Sequence, residues 1–170
     1  MPKHIALIVA SGKIGTKIAR ELLQRGHTVT GIARDPAKIE SQPGLQAAAG
    51  DFTEPQVLAA LLKGHDAIIS AASFIPGQAE KLIESVRASG VKRFLMVGGA
   101  ASLETEPGGK KVIETLDLPE AWKAPIMEGI RSLKLLREEN GFDWTFFSPA
   151  VMIGPGERTG KFRLGKDAVV

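Results

Sequence analysis

The 170-residue chain contains no cysteine and no tyrosine. Without cysteine there is no disulfide framework, no thiol nucleophile and no cysteine-ligated metal. Without tyrosine, chemistry that uses a phenol as acid or base is closed to it. Long apolar runs are missing as well. No stretch approaches the ~20 residues that span a bilayer, and no small-residue cleavage site follows the apolar start, so no signal peptide is read. Charge is not concentrated either. The net value is +3, and the basic residues are scattered, with no run longer than Lys110-Lys111. A nucleic-acid partner, which usually shows as a basic stripe, is not expected. No spacing of His, Asp and Glu suggests a metal. These exclusions leave one cytoplasmic domain with enough interior for a core. It would act on a small molecule, with oligomerisation open.

What is present is a repeated switch between apolar extended runs and helical spacing. Strands are predicted at 5–10, 28–33, 45–49, 67–71, 94–97 and 144–147. Between them, Ile14, Ile18 and Leu22 mark a helix ending near Gly26, and Asp35-Pro36 opens a short helix or turn with Asp as N-cap. Val57, Leu58, Leu61 and Leu62 face inward on a helix that begins at Thr53-Glu54-Pro55. Leu82, Ile83 and Val86 do so on a helix over 78–89. Ile126, Ile130, Leu133 and Leu136 form the core face of a helix over 120–139, which Pro125 divides. Residues 98–118 form a long glycine-bearing loop of the kind that often carries function. Six strand–helix alternations imply an α/β protein with a doubly wound parallel sheet, three layers α/β/α in a single domain. The expected strand order is 3-2-1-4-5-6, with a ligand crevice at the carboxyl ends of the strands. Trp122, Trp144, Met96, Met127 and Met152 read as packing residues. His4 and His27 read as solvated, and His65 as a turn residue.

The first turn, Val9-Ala10-Ser11-Gly12-Lys13-Ile14-Gly15, carries two of the three glycines of the pattern G-x-x-G-x-x-G. Gly12 lets backbone approach a pyrophosphate, the helix start supplies N–H donors and positive dipole, and Gly15 lets helix and strand pack closely. Because the turn follows a strand and opens a helix, it points to a dinucleotide. Val9 stands where the first glycine belongs. Valine favours extended geometry, so the backbone is expected to stay extended to Ala10, with the side chain crowding the adenosine ribose.

The stretch IVASGKIGTKI resembles the GATGxxGxxI opening of the atypical short-chain dehydrogenase/reductases, the NAD(P)-binding and NmrA-like group with a Rossmann fold. Ala33-Arg34-Asp35-Pro36, Gly50-Asp51, Ser70-Ala71-Ala72, Lys92-Arg93-Phe94 and Phe147-Ser148-Pro149-Ala150 follow in the group's order. Gly98 to Leu103 and Pro155 to Gly165 are similar to small bacterial members. The resemblance covers nearly the whole chain. It implies a further strand and helix beyond residue 170, so either a trimmed chain or a shortened fold is expected.

The resemblance implies a cofactor site built from Ala10, Ser11, Gly12, Lys13, Ile14, Arg34, Asp51, Phe52, Ala71, Ala72, Gly98 and Pro149. Arg34 stands where an acidic residue would select NAD. A guanidinium can fork onto a 2′-phosphate, so NADP is favoured over NAD. Asp51 would reach the adenine amino group, or serve only as a turn aspartate. The group's Tyr-x-x-x-Lys pair and its V-S-S serine are absent. Trp122-Lys123 lies where the pair would begin, and Gly98-Gly99 follows Val97. Ser102, Lys123 and Ser148 are the polar groups expected to line the pocket. The function implied first is an NADP(H)-dependent reductase that transfers hydride without a catalytic tyrosine. The alternative is a non-catalytic NADP-binding redox sensor of NmrA-like type. An epimerase or dehydratase relative comes last.

Overall fold

A computed structural model describes all 170 residues. The strands are β1 (His4–Ile8), β2 (Thr28–Ala33), β3 (Leu45–Ala49), β4 (Ala67–Ser70), β5 (Arg93–Val97) and β6 (Asp143–Phe147). The helices are α1 (Lys13–Gln24), α2 (Pro55–Leu62), α3 (Ala79–Ser89) and α4 (Glu120–Arg137), and short 3-10 turns cover Pro36–Lys38, Ala100–Ser102 and Val112–Thr115. All strand pairs are parallel, in the order β3-β2-β1-β4-β5-β6. Every strand therefore ends on the same edge of the sheet. The order reverses between β1 and β4, and there the crevice opens.

Alternation along each strand divides the interior into two cores. Ala6, Ile8, Ile32, Ile68, Phe94 and Met96 face α2, α3 and α4, represented by Leu58, Leu82 and Leu136. Leu7, Val29 and Ala33 face α1 with Ala19. The sheet is thus covered on both faces, as right-handed crossovers require.

Several expectations about single residues are corrected. Val57 is exposed on α2 and Ala59 is buried in its place. α4 runs unbroken through Pro125. The carbonyl that proline leaves without a donor, four residues back, lies at Ala121 in the exposed first turns, where water can satisfy it. The buried stripe of α4 is Glu128, Gly129, Ser132 and Leu136, while Ile126 and Ile130 turn toward a cavity. Among the methionines, Met96 is buried but Met127 and Met152 are exposed. His4 is not merely solvated, and His65 is more than a turn residue. Both Nε2 atoms bond Thr30 Oγ1, at 3.1 and 2.9 Å.

Candidate functional site

The turn after β1 has the conformation that glycine would favour. Val9 has φ +63°, in the left-handed region, rather than the extended backbone expected from its propensity. The reason is its bonding. Val9 N–H and Ala10 N–H both donate to the Ile32 carbonyl, at 2.9 and 3.2 Å, and the Val9 carbonyl accepts from Gly12 N–H at 3.1 Å. This tight exit imposes the positive φ, at a cost of about 1–3 kcal/mol for a residue with a Cβ. The same turn makes one glycine obligatory and leaves a second little room. A Cβ on Gly15 would overlap the Val9 carbonyl oxygen, and one on Gly12 would lie 3.2 Å from Val9 Cγ1. The Val9 side chain packs against the core that α2, α3 and α4 share.

α1 starts with no side-chain cap and no acidic residue in its first turn. The N–H groups of Ser11, Lys13, Ile14 and Gly15 have no hydrogen-bond partner in the protein. Four open donors at the positive end of a helix, on the edge where the strands end, suit an anion with several oxygens. A dinucleotide pyrophosphate fits these residues.

The other expected cofactor positions lie along that edge. Arg34 follows β2, is exposed and enters no ion pair. Asp35 caps the following turn, accepting from Ala37 N–H at 3.1 Å. After β3, Asp51 Oδ1 accepts from Thr53 N–H at 2.9 Å, so it is a turn aspartate with its second oxygen free. Phe52 packs against the core beside it. Ala71 and Ala72 follow β4 and are half-buried. Gly98 follows β5 and donates to the Phe147 carbonyl at 2.8 Å. A Cβ there would overlap the Phe146 ring, whereas Gly99 faces open space. Restoring a serine is therefore sterically closed at Gly98 and open at Gly99. Pro149 and Ser148 follow β6 and line a cleft with the segment 162–170.

Next to this edge is a cavity of about 350 Å³. Gly99 to Ser102 form one wall, Trp122, Ile126 and Ile130 of α4 another, and Phe74 of the segment after β4 also lines it. No charged residue lines it. Ser102 Oγ is sealed from solvent and has no hydrogen-bond partner. Ser102 and Ser148 share a second, smaller cleft with Phe146 and Trp144. The structure does not bring Lys123 to either place. Its Nζ pairs with Glu120 at 2.6 Å on the outer face of α4, because one residue along a helix turns a side chain about 100° away from Trp122. Sequence reasoning missed Phe74, Met152 and the lining role of Trp122. For Trp122 and Met152 the signal was an apolar side chain left exposed, which appears only once the chain is folded.

The glycine turn, the parallel sheet and the crevice at its switch point define a dinucleotide-binding protein with a Rossmann-like fold. The chain belongs to the NAD(P)H-binding family, whose model matches residues 10–169. It is 35% identical to YwnB of Bacillus subtilis (strain 168), a protein described as uncharacterized, over 98% of this chain and 81% of YwnB. It is similar to the crystal structure of a proposed epimerase from Bacteroides thetaiotaomicron, with TM-score 0.92 and 38% identity over 100% of this chain and 81% of that one. It is also similar to a proposed NADH-flavin reductase from Streptococcus pneumoniae, with TM-score 0.77 and 34% identity over 93% and 77% of the two chains. No helix is long and apolar enough to cross a membrane.

Proposed function

We propose that this protein is an NADP(H)-dependent reductase of the atypical short-chain dehydrogenase type, passing hydride to a small acceptor without a catalytic tyrosine. One observation carries the reading. Four unpartnered N–H groups at the start of α1 share the sheet edge with a cavity of ligand size. In this reading Ser11, Lys13, Ile14 and Gly15 hold the pyrophosphate through backbone. Arg34 pairs with the 2′-phosphate, which favours NADP over NAD. Asp51 offers its free oxygen to the adenine amino group, Ala71 and Ala72 leave room for the ribose, and Gly98 and Pro149 flank the nicotinamide. Bound reduced nicotinamide would supply two electrons and a proton as hydride. The chain's own part is positioning and exclusion of water. Ser102 and Ser148, which share a cleft beside the cavity, are the polar side chains nearest the acceptor, and the second proton comes from solvent. Lys123 is given no catalytic role. The likeness to a proposed NADH-flavin reductase supports the same direction.

The second reading, an NADP-binding sensor of NmrA-like type, is favoured by one feature: the cavity lining holds no acid or base. Oxidation of NADPH, followed by its absorbance, separates the two across a panel of quinone, flavin, azo and carbonyl acceptors. The reductase reading expects turnover with at least one class. NADPH binding with no oxidation by any class would leave the sensor.

A further inference from the structure

The carboxyl edge of the sheet carries the candidate cofactor positions. Toward the opposite, amino edge the fold gathers His4, Thr30 and His65. His4 opens β1, Thr30 lies in β2, and His65 stands in the turn between α2 and β4. The two Nε2 atoms lie 3.1 and 2.9 Å from the same oxygen, Thr30 Oγ1. The ring centroids are 4.1 Å apart and the planes are tilted by 34°. Two imidazoles therefore aim the same nitrogen at one point. The framework beneath them is tied by reciprocal bonds. Asp66 N–H donates to the His4 carbonyl at 2.9 Å, and His4 N–H donates to Asp66 Oδ2 at 2.7 Å. The His65 ring is oriented from behind, with Nδ1 2.9 Å from the Leu62 carbonyl. A carbonyl can only accept, so Nδ1 carries the proton, and in the neutral ring Nε2 keeps its lone pair. Metal-binding histidines have this arrangement, the second nitrogen donating to a backbone carbonyl or carboxylate. Thr30 is buried, His65 half-buried and His4 exposed, so solvent reaches the pair from the His4 side.

We propose that His4 and His65 form a site for one divalent transition-metal ion, bound through the two Nε2 atoms, with the Thr30 hydroxyl oxygen and water filling the remaining positions. The site stands apart from the reductase reading and does not depend on it. Imidazole suits Cu²⁺, Ni²⁺ and Zn²⁺, and the usual order of affinity puts Cu²⁺ ahead of the other two. His65 Nε2 already presents a lone pair. His4 supplies its own by moving the Nε2 proton to Nδ1, which bonds no protein group, so a neutral pair takes up the ion without releasing a proton. The nitrogens now surround the Thr30 oxygen at about 3 Å, and a small closing of the rings brings both to the ~2.0–2.1 Å of a metal–imidazole bond. No group of three His, Cys, Asp or Glu side chains comes together in the chain. Water therefore completes the shell, and the affinity falls below that of a four-ligand structural site. A bound ion ties the start of β1 to the turn before β4 across β2, and it stabilises the folded chain according to its occupancy.

The test titrates the intact, chelator-treated chain with Cu²⁺ in a non-coordinating buffer. With no cysteine present, no thiol competes for the ion or reduces it. Calorimetry is expected to show one saturable site per chain, and electron paramagnetic resonance of the wild type the splitting of two imidazole nitrogens. His4→Ala and His65→Ala should each weaken binding about tenfold or more, with folding of each variant checked by circular dichroism. His27→Ala, which removes the third histidine, should leave binding unchanged. Saturating Cu²⁺ should raise the urea midpoint of the wild type, and His65→Gln should abolish the rise. The absence of a saturable heat would overturn the proposal. So would a resonance spectrum with fewer than two coupled nitrogens. Binding that survives His65→Ala would overturn it as well, by placing the ion on His4 and the groups around the amino terminus.

Discussion

Val9 carries the sharpest conflict between a residue and its place. Its side chain belongs in a strand, its backbone sits at φ +63°, and the turn's hydrogen bonds decide the outcome. Val9→Ala and Val9→Gly both give up the packing of the two valine methyls, but only glycine relieves the left-handed strain. Val9→Gly is therefore expected to be the more stable of the two by about 1 kcal/mol in urea unfolding. The opposite order would mean an extended backbone at that position, where glycine is the poorer residue.

At the other end of the sheet, His65 Nδ1 donates to the Leu62 carbonyl at 2.9 Å, so its Nε2 accepts from the Thr30 hydroxyl, which in turn accepts from His4. The rings lie 4.1 Å apart. Burial first, and the nearby His4 ring as well, lower the pKa of His65, while Asp66 and the Leu62 and Lys63 backbone oppose them. Neutral His65 is thus favoured in the folded state. Its contribution is complete above the unfolded value near 6.5 and is lost as pH falls below it toward the lowered folded value. Urea midpoints should drop across that acidic window, and His65→Asn should flatten the slope. This pairing was illegible in the sequence, because the three residues that touch are separated by α1, β3 and α2.

Among the elements, the helix ends show best what local reading can and cannot reach. Gly26, Gly64 and Gly90 follow their helices in left-handed conformations, so stop signals written in one residue were legible. The start of α3 was not. Its N-cap residue, Gln78, makes no cap bond. Instead Glu128 of α4, 6% exposed, accepts from Ala79 N–H at 3.3 Å and pairs with Arg131, which also holds Glu80. A carboxylate on a helix reads as a solvent-facing residue until a neighbouring helix end needs an acceptor. This is why the stripe of α4 was misplaced by part of a turn. Glu128→Ala should lower stability by about 1–3 kcal/mol. Glu128→Gln, which keeps the acceptor for Ala79, should cost less, and comparison of their urea midpoints checks the capping role.

For the whole molecule, the fold was legible because six apolar runs alternate with helical spacing, and parallel right-handed crossovers leave few ways to join them. The strand order and the edge bearing the cofactor positions follow from that regularity. The segment after Gly154 shows no strand or helix pattern in the sequence, and its anchors are distant. Arg158 pairs with Glu21 of α1 at 2.7 Å and, together with Arg25, brings that carboxyl down to about 2. Val169 N–H donates to the Glu104 carbonyl at 2.9 Å. Such contacts depend on the finished shape, as the apolar cavity does, and no local pattern announces them.

In the proposed reductase, the open donors of α1 and the unpaired Arg34 guanidinium together would make an NADP(H) site in spite of Val9. Calorimetric titration of the intact chain with NADPH and NADH, repeated on Arg34→Ala, tests it most directly. NADPH should bind more tightly than NADH, and Arg34→Ala should lose about tenfold or more in NADPH affinity while NADH is unchanged, as expected for a charge-assisted pair with the 2′-phosphate. No heat with either nucleotide, or equal affinities that Arg34→Ala leaves alone, would contradict it.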